Sequence, residues 1–496
     1  MRVVVIGAGL GGLSAAAHLV GRGDDVTVVE RAAVPGGRAA VLREAGFTLD
    51  LGPTVFTMPH LLDEAFTAAG RHRTDFVDIE PIDPLYRAVF ADGSTLRVRR
   101  GREAMTEEII EFAGRREAGV FNEFCDWVTE LYEIEMPNFI DTNYDSVTDV
   151  LRPWRAAAEI VRTGGLRRLD TRVASFFNDE RLQRVFSFQS MYAGVAPQSA
   201  LALYSVITYM DAVGGVYAVR GGINAAAVGL AKAVTEAGAT IRYEAPVTRV
   251  LRSGEGAATG VELADGDRLL ADAVVCNVDL PVAYRTLLGG VDAPRVARRG
   301  RFSPSCVLWS AGVRRTQPAD VAHHNLHFGA AWESSFDQVI RRGRRMTDPS
   351  MFVSTPSLSD PTLAPIGGST VFALEPVPNL DGKVDWLRDG ERIVADLTRR
   401  VAAAGYAVDD VAVEHTIDPL GWEAMGLDRG TPFALAHTWR QTGPLRPNNR
   451  DARVPGLFFT GSSTVPGVGV PMVLLSGKLA AQRVRDYERS TSTIKW

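Results

Sequence analysis

Residues 3–12 read Val3-Val4-Val5-Ile6-Gly7-Ala8-Gly9-Leu10-Gly11-Gly12, and Glu30 closes the next apolar run, Asp25–Val29. Four consecutive β-branched residues suit a strand buried on both faces. Glycine then occupies the first, third and sixth positions of a dinucleotide fingerprint. Gly7 permits the tight turn, Gly9 lets the backbone approach a pyrophosphate, and Gly12 lets helix and strand pack closely. Helical periodicity runs from Gly11 through Leu19 and Val20, which sets the pyrophosphate on a helix N-terminus whose unpaired N–H groups favour negative charge. Glu30, 18 residues after Gly12, is placed to accept hydrogen bonds from ribose hydroxyls. The glycines alone would say little. With a strand before them, a helix after them and the acid on time, they read as a β-α-β nucleotide unit.

Working outward, Pro35-Gly36-Gly37-Arg38 follows Glu30 closely. It offers flexible backbone and a guanidinium suited to bidentate pairing with the same diphosphate, which favours FAD over NAD. Asp50-Leu51-Gly52-Pro53-Thr54 is a further loop able to bring backbone against a flat ring. From about residue 61 to 210 the pattern is mostly helical and aromatic. Arg220-Gly221-Gly222 then introduces a helix through Ala237, strands at 240–243 and 247–251, a hairpin around Asp265-Gly266-Asp267 and a strand at 273–276. Residues 285–435 mix Pro-rich loops with short strands (306–310, 351–354, 371–374) and a helix near 391–404. The chain returns to a strand at 457–460, a Gly/Pro loop, and a final helix at 474–487. This predicts an α/β fold. A Rossmann-type domain is assembled from 1–70, 215–285 and 436–496, with a mainly helical, membrane-facing substrate region at 71–214 and a mixed α+β substrate domain at 286–435.

Length and composition agree with two or three packed domains: 496 residues, 46% hydrophobic and 23% charged. A net charge of -5 provides no field for nucleic acid. Arg supplies 50 of the 54 basic residues, a bias of codon usage rather than a binding signature. Cys125, Cys276 and Cys306 form no C-x-x-C pair, which argues against disulfides or zinc and suits a reducing cytoplasm. No signal peptide and no run of about 18 apolar residues is evident. His323, His324 and His327 lack an acid at helical spacing and suit a strand, so no metal is expected. No G-x-S-x-G surrounds Ser14, Ser190 or Ser463.

The order of fingerprint, Glu and G-G-R resembles the amine-oxidase and carotenoid-desaturase group of flavoproteins. Thr460-Gly461 and the loop Val465-Pro466-Gly467-Val468-Gly469-Val470-Pro471-Met472 extend that likeness. A resemblance to bacterial-type phytoene desaturases covers nearly the whole chain, through residues 47–55, 184–194, 215–222, 322–329, 374–380 and 445–451. It implies FAD as cofactor, held by the residues named above together with Val247, Gly461, Val470, Pro471 and Met472. It implies desaturation of phytoene toward lycopene, with a hydride passing to flavin N5, loss of a neighbouring proton, and oxygen or a quinone as electron acceptor. The intermediate's allylic-cation character calls for an anion or aromatic face nearby. A D-x-x-R pair, Asp149 and Arg152, matches the family as a candidate for assisting proton loss and tuning it. The family often has His before the Pro of the C-terminal loop; this chain has Val465 there, so that role does not carry over.

A hydrocarbon substrate must be held by apolar burial, and Phe176, Phe177, Phe186, Phe188, Tyr192, Tyr204 and Tyr209 are candidates for the lining. Such a substrate dissolves in lipid, which implies a cytoplasmic protein attached peripherally to a membrane. The basic runs 97–102 and 341–345 are candidates for meeting anionic headgroups. Alternatives on the same motifs are a desaturase or isomerase of another carotenoid (diapophytoene, or a neurosporene type), an amine or porphyrinogen oxidase, and a non-enzymatic prenyl-binding escort protein. Glu30 and the G-G-R loop speak against the last.

Overall fold

The computed structural model describes residues 1–493. Its centre is a parallel sheet in the order Thr240–Arg242, Asp25–Val29, Arg2–Ile6, Ala273–Cys276, Leu457–Phe459. These strands come from widely separated parts of the chain, and their β-branched runs are apolar because both faces are covered. Val3 and Val5 point into a core shared with the helices Leu10–Val20, Asn224–Glu236 and Val470–Thr493. Val4 and Ile6 point the other way, onto the antiparallel strands Val247–Arg252, Ala258–Leu263 and Arg268–Leu270. Their tight turn at Asp265–Asp267 is the expected hairpin.

The second layer is a seven-stranded mixed sheet in the order Val411–Ile417, Ser305–Val313, Ser369–Val377, Met351–Ser354, His324–His327, Tyr86–Val89, Thr95–Val98. The last two strands lie in the region expected to be helical, and they join residues 305–417 through the parallel pairing Leu326↔Ala88. The boundary drawn between 71–214 and 286–435 is therefore crossed by one continuous sheet. The long helix Arg115–Glu135 fulfils the helical expectation nearby. The stretch 173–210 is more broken than its periodicity suggests, made of short α, 3-10 and π turns around the bends at 175–179 and Gly194. Among the described residues, no helix is long and apolar enough to cross a membrane.

Candidate cofactor and substrate site

The parallel strands deliver their carboxyl ends to one place, as open α/β sheets do. Gly7 follows the first strand, Glu30 the second, Asn277 and Asp279 the fourth in chain order, and Thr460-Gly461 the last. Glu30 is buried and anchored, its Oε2 accepting from Ala8 N at 2.7 Å and its Oε1 from Ala32 N at 2.9 Å. A Cβ on Gly12 would lie 2.0 Å from the carbonyl oxygen of Gly7, so only glycine lets this helix sit so close to its strand. A Cβ on Gly52 would lie 1.8 Å from the Arg38 carbonyl, which fixes the second loop against the third.

Asn277, which the sequence reading passed over, holds these loops together. Its side-chain amide stands against Gly9, Gly11 and Gly12 on one side and Gly461 on the other. The signal was present in its position directly beyond the parallel strand Ala273–Cys276. The opposite wall is the N-terminus of Val470–Thr493. Val473 N makes the first helical bond, to Gly469 O; Pro471 has no N–H, and those of Val470 and Met472 have no carbonyl within the helix to reach.

A cavity of about 1400 Å³ opens from this junction. Of the residues expected to hold cofactor, Gly7, Gly9, Glu30, Gly36, Gly37, Arg38, Gly52, Pro53, Thr54, Val247, Val470, Pro471 and Met472 line it. Gly12 and Gly461 stand behind the wall as packing positions. Arg38 lies beside Asp279 and donates to Pro432 O at 2.7 Å. The glycine cradle, the anchored acid and the free helix N–H groups fit an adenine dinucleotide. Single-ligand pockets measure about 300–1,000 Å³, so this volume leaves room for a second, long ligand.

That second compartment is apolar. Phe188, Tyr192 and Tyr204 line it as expected. Phe177 and Phe186 pack instead into a closed aromatic cluster with Phe124, Phe176 caps that cluster, and Tyr209 stacks on Tyr132 with ring centroids 4.1 Å apart. Two acids also line the cavity, Glu135 and Asp211, and burial holds both carboxyls well above their usual range. Each sits at a π turn, 136–140 and 209–213, a local geometry that recurs at functional sites.

Asp149 and Arg152 form the expected pair at 2.9 Å, yet neither lines the cavity. Asp149 Oδ2 accepts from Asp145 N at 2.7 Å and Ser146 N at 2.9 Å, and these backbone bonds, then Arg152, hold its carboxyl below the usual range. The arrangement is a capping box bracing the turn 147–151, which is a correction to its expected acid/base role. An imidazole does reach the C-terminal loop from another part of the chain. His437 lies so close that a Cβ on Gly467 would be 2.2 Å from its Cε1. It lines the cavity, its buried Nε2 has no hydrogen-bond partner, and burial pushes its pKa well below the ordinary value. No sequence motif announces it, because its neighbour Gly467 is 30 residues away.

The three histidines of the 323–327 stretch are engaged one by one. His323 Nδ1 meets Ser359 Oγ at 2.7 Å, His324 Nδ1 meets Leu85 O at 3.3 Å, and His327 Nε2 meets Tyr406 at 3.0 Å. The basic runs are partly engaged in ion pairs: Arg99 with Asp83, Arg102 with Asp126, Arg341 and Arg342 with Asp337, and Arg345 with Glu375 and Asp396.

Residues 10–485 match the model of the flavin containing amine oxidoreductase family. The chain is 46% identical to a phytoene dehydrogenase of Streptomyces griseus, over 97% of this chain and 94% of that one. It is 37% identical to a zeta-carotene-forming phytoene desaturase of Myxococcus xanthus, over 98% and 94%. Among solved structures, cyclohexylamine oxidase from Brevibacterium oxydans IH-35A superposes with a TM-score of 0.59 at 20% identity, covering 98% of this chain and 99% of that one.

Proposed function

The chain belongs to the flavin containing amine oxidoreductase family, and from that premise we propose that it is an FAD-dependent desaturase that converts 15-cis-phytoene stepwise toward lycopene. The observation that carries the reading is the single cavity in which a dinucleotide cradle continues into a long apolar compartment. FAD is the cofactor, and bound in that cradle it supplies a two-electron acceptor. Phe188, Met210 and Leu326 offer the polyene apolar contact, worth about 25 cal/mol per Å² buried. The wall excludes water, which would otherwise trap a carbocation. The proton leaving the neighbouring carbon has a neutral acceptor in His437 Nε2. A proton adjacent to an allylic cation is so acidic that a base weakened by burial suffices.

Substrate access from lipid is supported by the cavity's rim. Val147, Leu151, Val161, Leu166, Trp439 and Leu445 line the cavity and are also exposed at its mouth, Leu151 by 65% and Trp439 by 63%. Trp154 beside them is 65% exposed, and Arg152, Arg155 and Arg440 flank them in solvent. Exposed Trp and Leu ringed by Arg suit an anionic membrane interface. We take this face as the site of attachment. The assignment is tested by expression in a bacterium that accumulates phytoene. Coloured carotenoids of longer conjugation are expected, and phytoene left unchanged beside FAD-loaded protein would refute it.

A further inference from the structure

The loop Gly461–Gly469 has the cavity on one side and a single guanidinium on the other. Arg446 is 3% exposed. Its Nε donates to Thr464 O at 3.0 Å, its Nη1 to Gln441 O at 3.4 Å, and its Nη2 to Leu435 O at 3.1 Å and to Ser462 O. Every acceptor is a backbone carbonyl. Among the described residues, no Asp or Glu forms an ion pair with it, and the one group that favours its charge is the Tyr204 phenol. The other buried arginines are compensated: Arg87 pairs with Asp320 and Arg483 with Asp145, each at 2.6 Å. Burying an uncompensated ion costs several kcal/mol even after relaxation. Carbonyl acceptors offset only part of that, so the counter-charge has to come from something outside the polypeptide.

We propose that Arg446 is the electrostatic counter-charge of reduced flavin, a positioning residue that acts across the loop Ser462–Thr464 rather than by touching the ring. When oxidised flavin takes up two electrons and one proton, the proton goes to N5 and a negative charge remains along N1 and the C2 carbonyl. The Ser462 and Thr464 carbonyls are turned toward Arg446, so their oxygens do not oppose that charge from the cavity side. Other ionisable groups at the loop do not cancel the effect. His437 is held neutral by burial, Tyr204 donates to His437 O at 2.7 Å, and Asp279, which accepts from Ser463 Oγ at 2.6 Å, has its carboxyl pushed above the usual range by burial. Arg446 thereby raises the reduction potential of the bound cofactor and makes hydride uptake from an unactivated hydrocarbon more favourable. The inference rests on FAD lying against the C-terminal loop and is independent of which carotenoid is the substrate.

The test is the midpoint potential of the purified holoenzyme, by anaerobic dye equilibration, for wild type, Arg446→Gln and Arg446→Lys. Gln should lower the equilibrium constant for reduction at least tenfold, about 30 mV for a two-electron couple, while Lys stays within about threefold, roughly 15 mV. An unchanged potential in Gln, or an equal fall in Lys, overturns the proposal. Should the Gln variant not fold, the wild type decides. A stabilised anion takes one proton per two electrons, so the potential should change by about 30 mV per pH unit from about pH 7.5 down to about 5.5. A slope steepening to about 59 mV per unit below neutrality, two protons per two electrons, contradicts it. Failure of the cofactor reading itself looks different: the wild type would show no flavin absorbance.

Discussion

His437 lines the cavity, while Asp149 stands outside it. Asp149 is spent on a capping box, so Asp149→Asn, which keeps one acceptor oxygen, should retain FAD and desaturate phytoene within about threefold of wild type, an effect of order 0.6 kcal/mol. Its cost should appear as a lower Tm in thermal melts. His437→Gln should keep the yellow holoenzyme and lose desaturation by about 10²-fold or more, the usual value of a positioned base. Activity left intact by that change would dismiss the imidazole as base. His324 bears on stability instead. Burial pushes its pKa down to about 4, below that of the unfolded chain, so the unfolded state binds more protons as pH falls. Its contribution is full above about pH 6.5 and is lost on acidification toward pH 4, on the order of 3 kcal/mol. Melting wild type and His324→Gln side by side across that range should show a shallower pH dependence in the variant, and parallel curves would count against this account.

At the scale of elements, the flavin cradle depends on two helices touching at glycine. A Cβ on Gly477 in the final helix would lie 2.4 Å from Gly11 O and 2.7 Å from Ala15 N in the fingerprint helix. Gly477→Ala should therefore destabilise by about 1–3 kcal/mol and weaken FAD retention during gel filtration, although it lies away from the ligand. The strands Asp25–Val29, Ala273–Cys276 and Met351–Ser354 have the bounds that their apolar runs predict, because buried parallel or central strands carry little polar sequence to blur them. Tyr86–Val89 and Thr95–Val98 were illegible, since this edge hairpin, reading Tyr-Arg-Ala-Val and Thr-Leu-Arg-Val, pairs within itself but joins the sheet only through His324–His327, over 200 residues away. The cofactor loops were legible because their chemistry is local in sequence. Asn277, His437 and Arg446 were not, because each serves a loop from a different part of the chain.

For the molecule as a whole, the cradle, apolar compartment and exposed rim line one cavity, which on the proposed function is the path from lipid to flavin. The rim predicts a membrane contact driven by apolar side chains and Arg together. Trp154→Glu with Trp439→Glu should abolish flotation with anionic vesicles while leaving the flavin spectrum unchanged, and undiminished flotation would move the contact elsewhere. The central claim, that a hydrocarbon in this cavity delivers hydride to this FAD, is tested most directly by mixing the holoenzyme anaerobically with phytoene in vesicles and following the flavin absorbance. Bleaching of the oxidised flavin band, accompanied by a carotenoid with one added double bond that also brings the neighbouring isolated one into conjugation, is the predicted result. A flavin that stays oxidised with phytoene present, yet is reduced by dithionite, would contradict it.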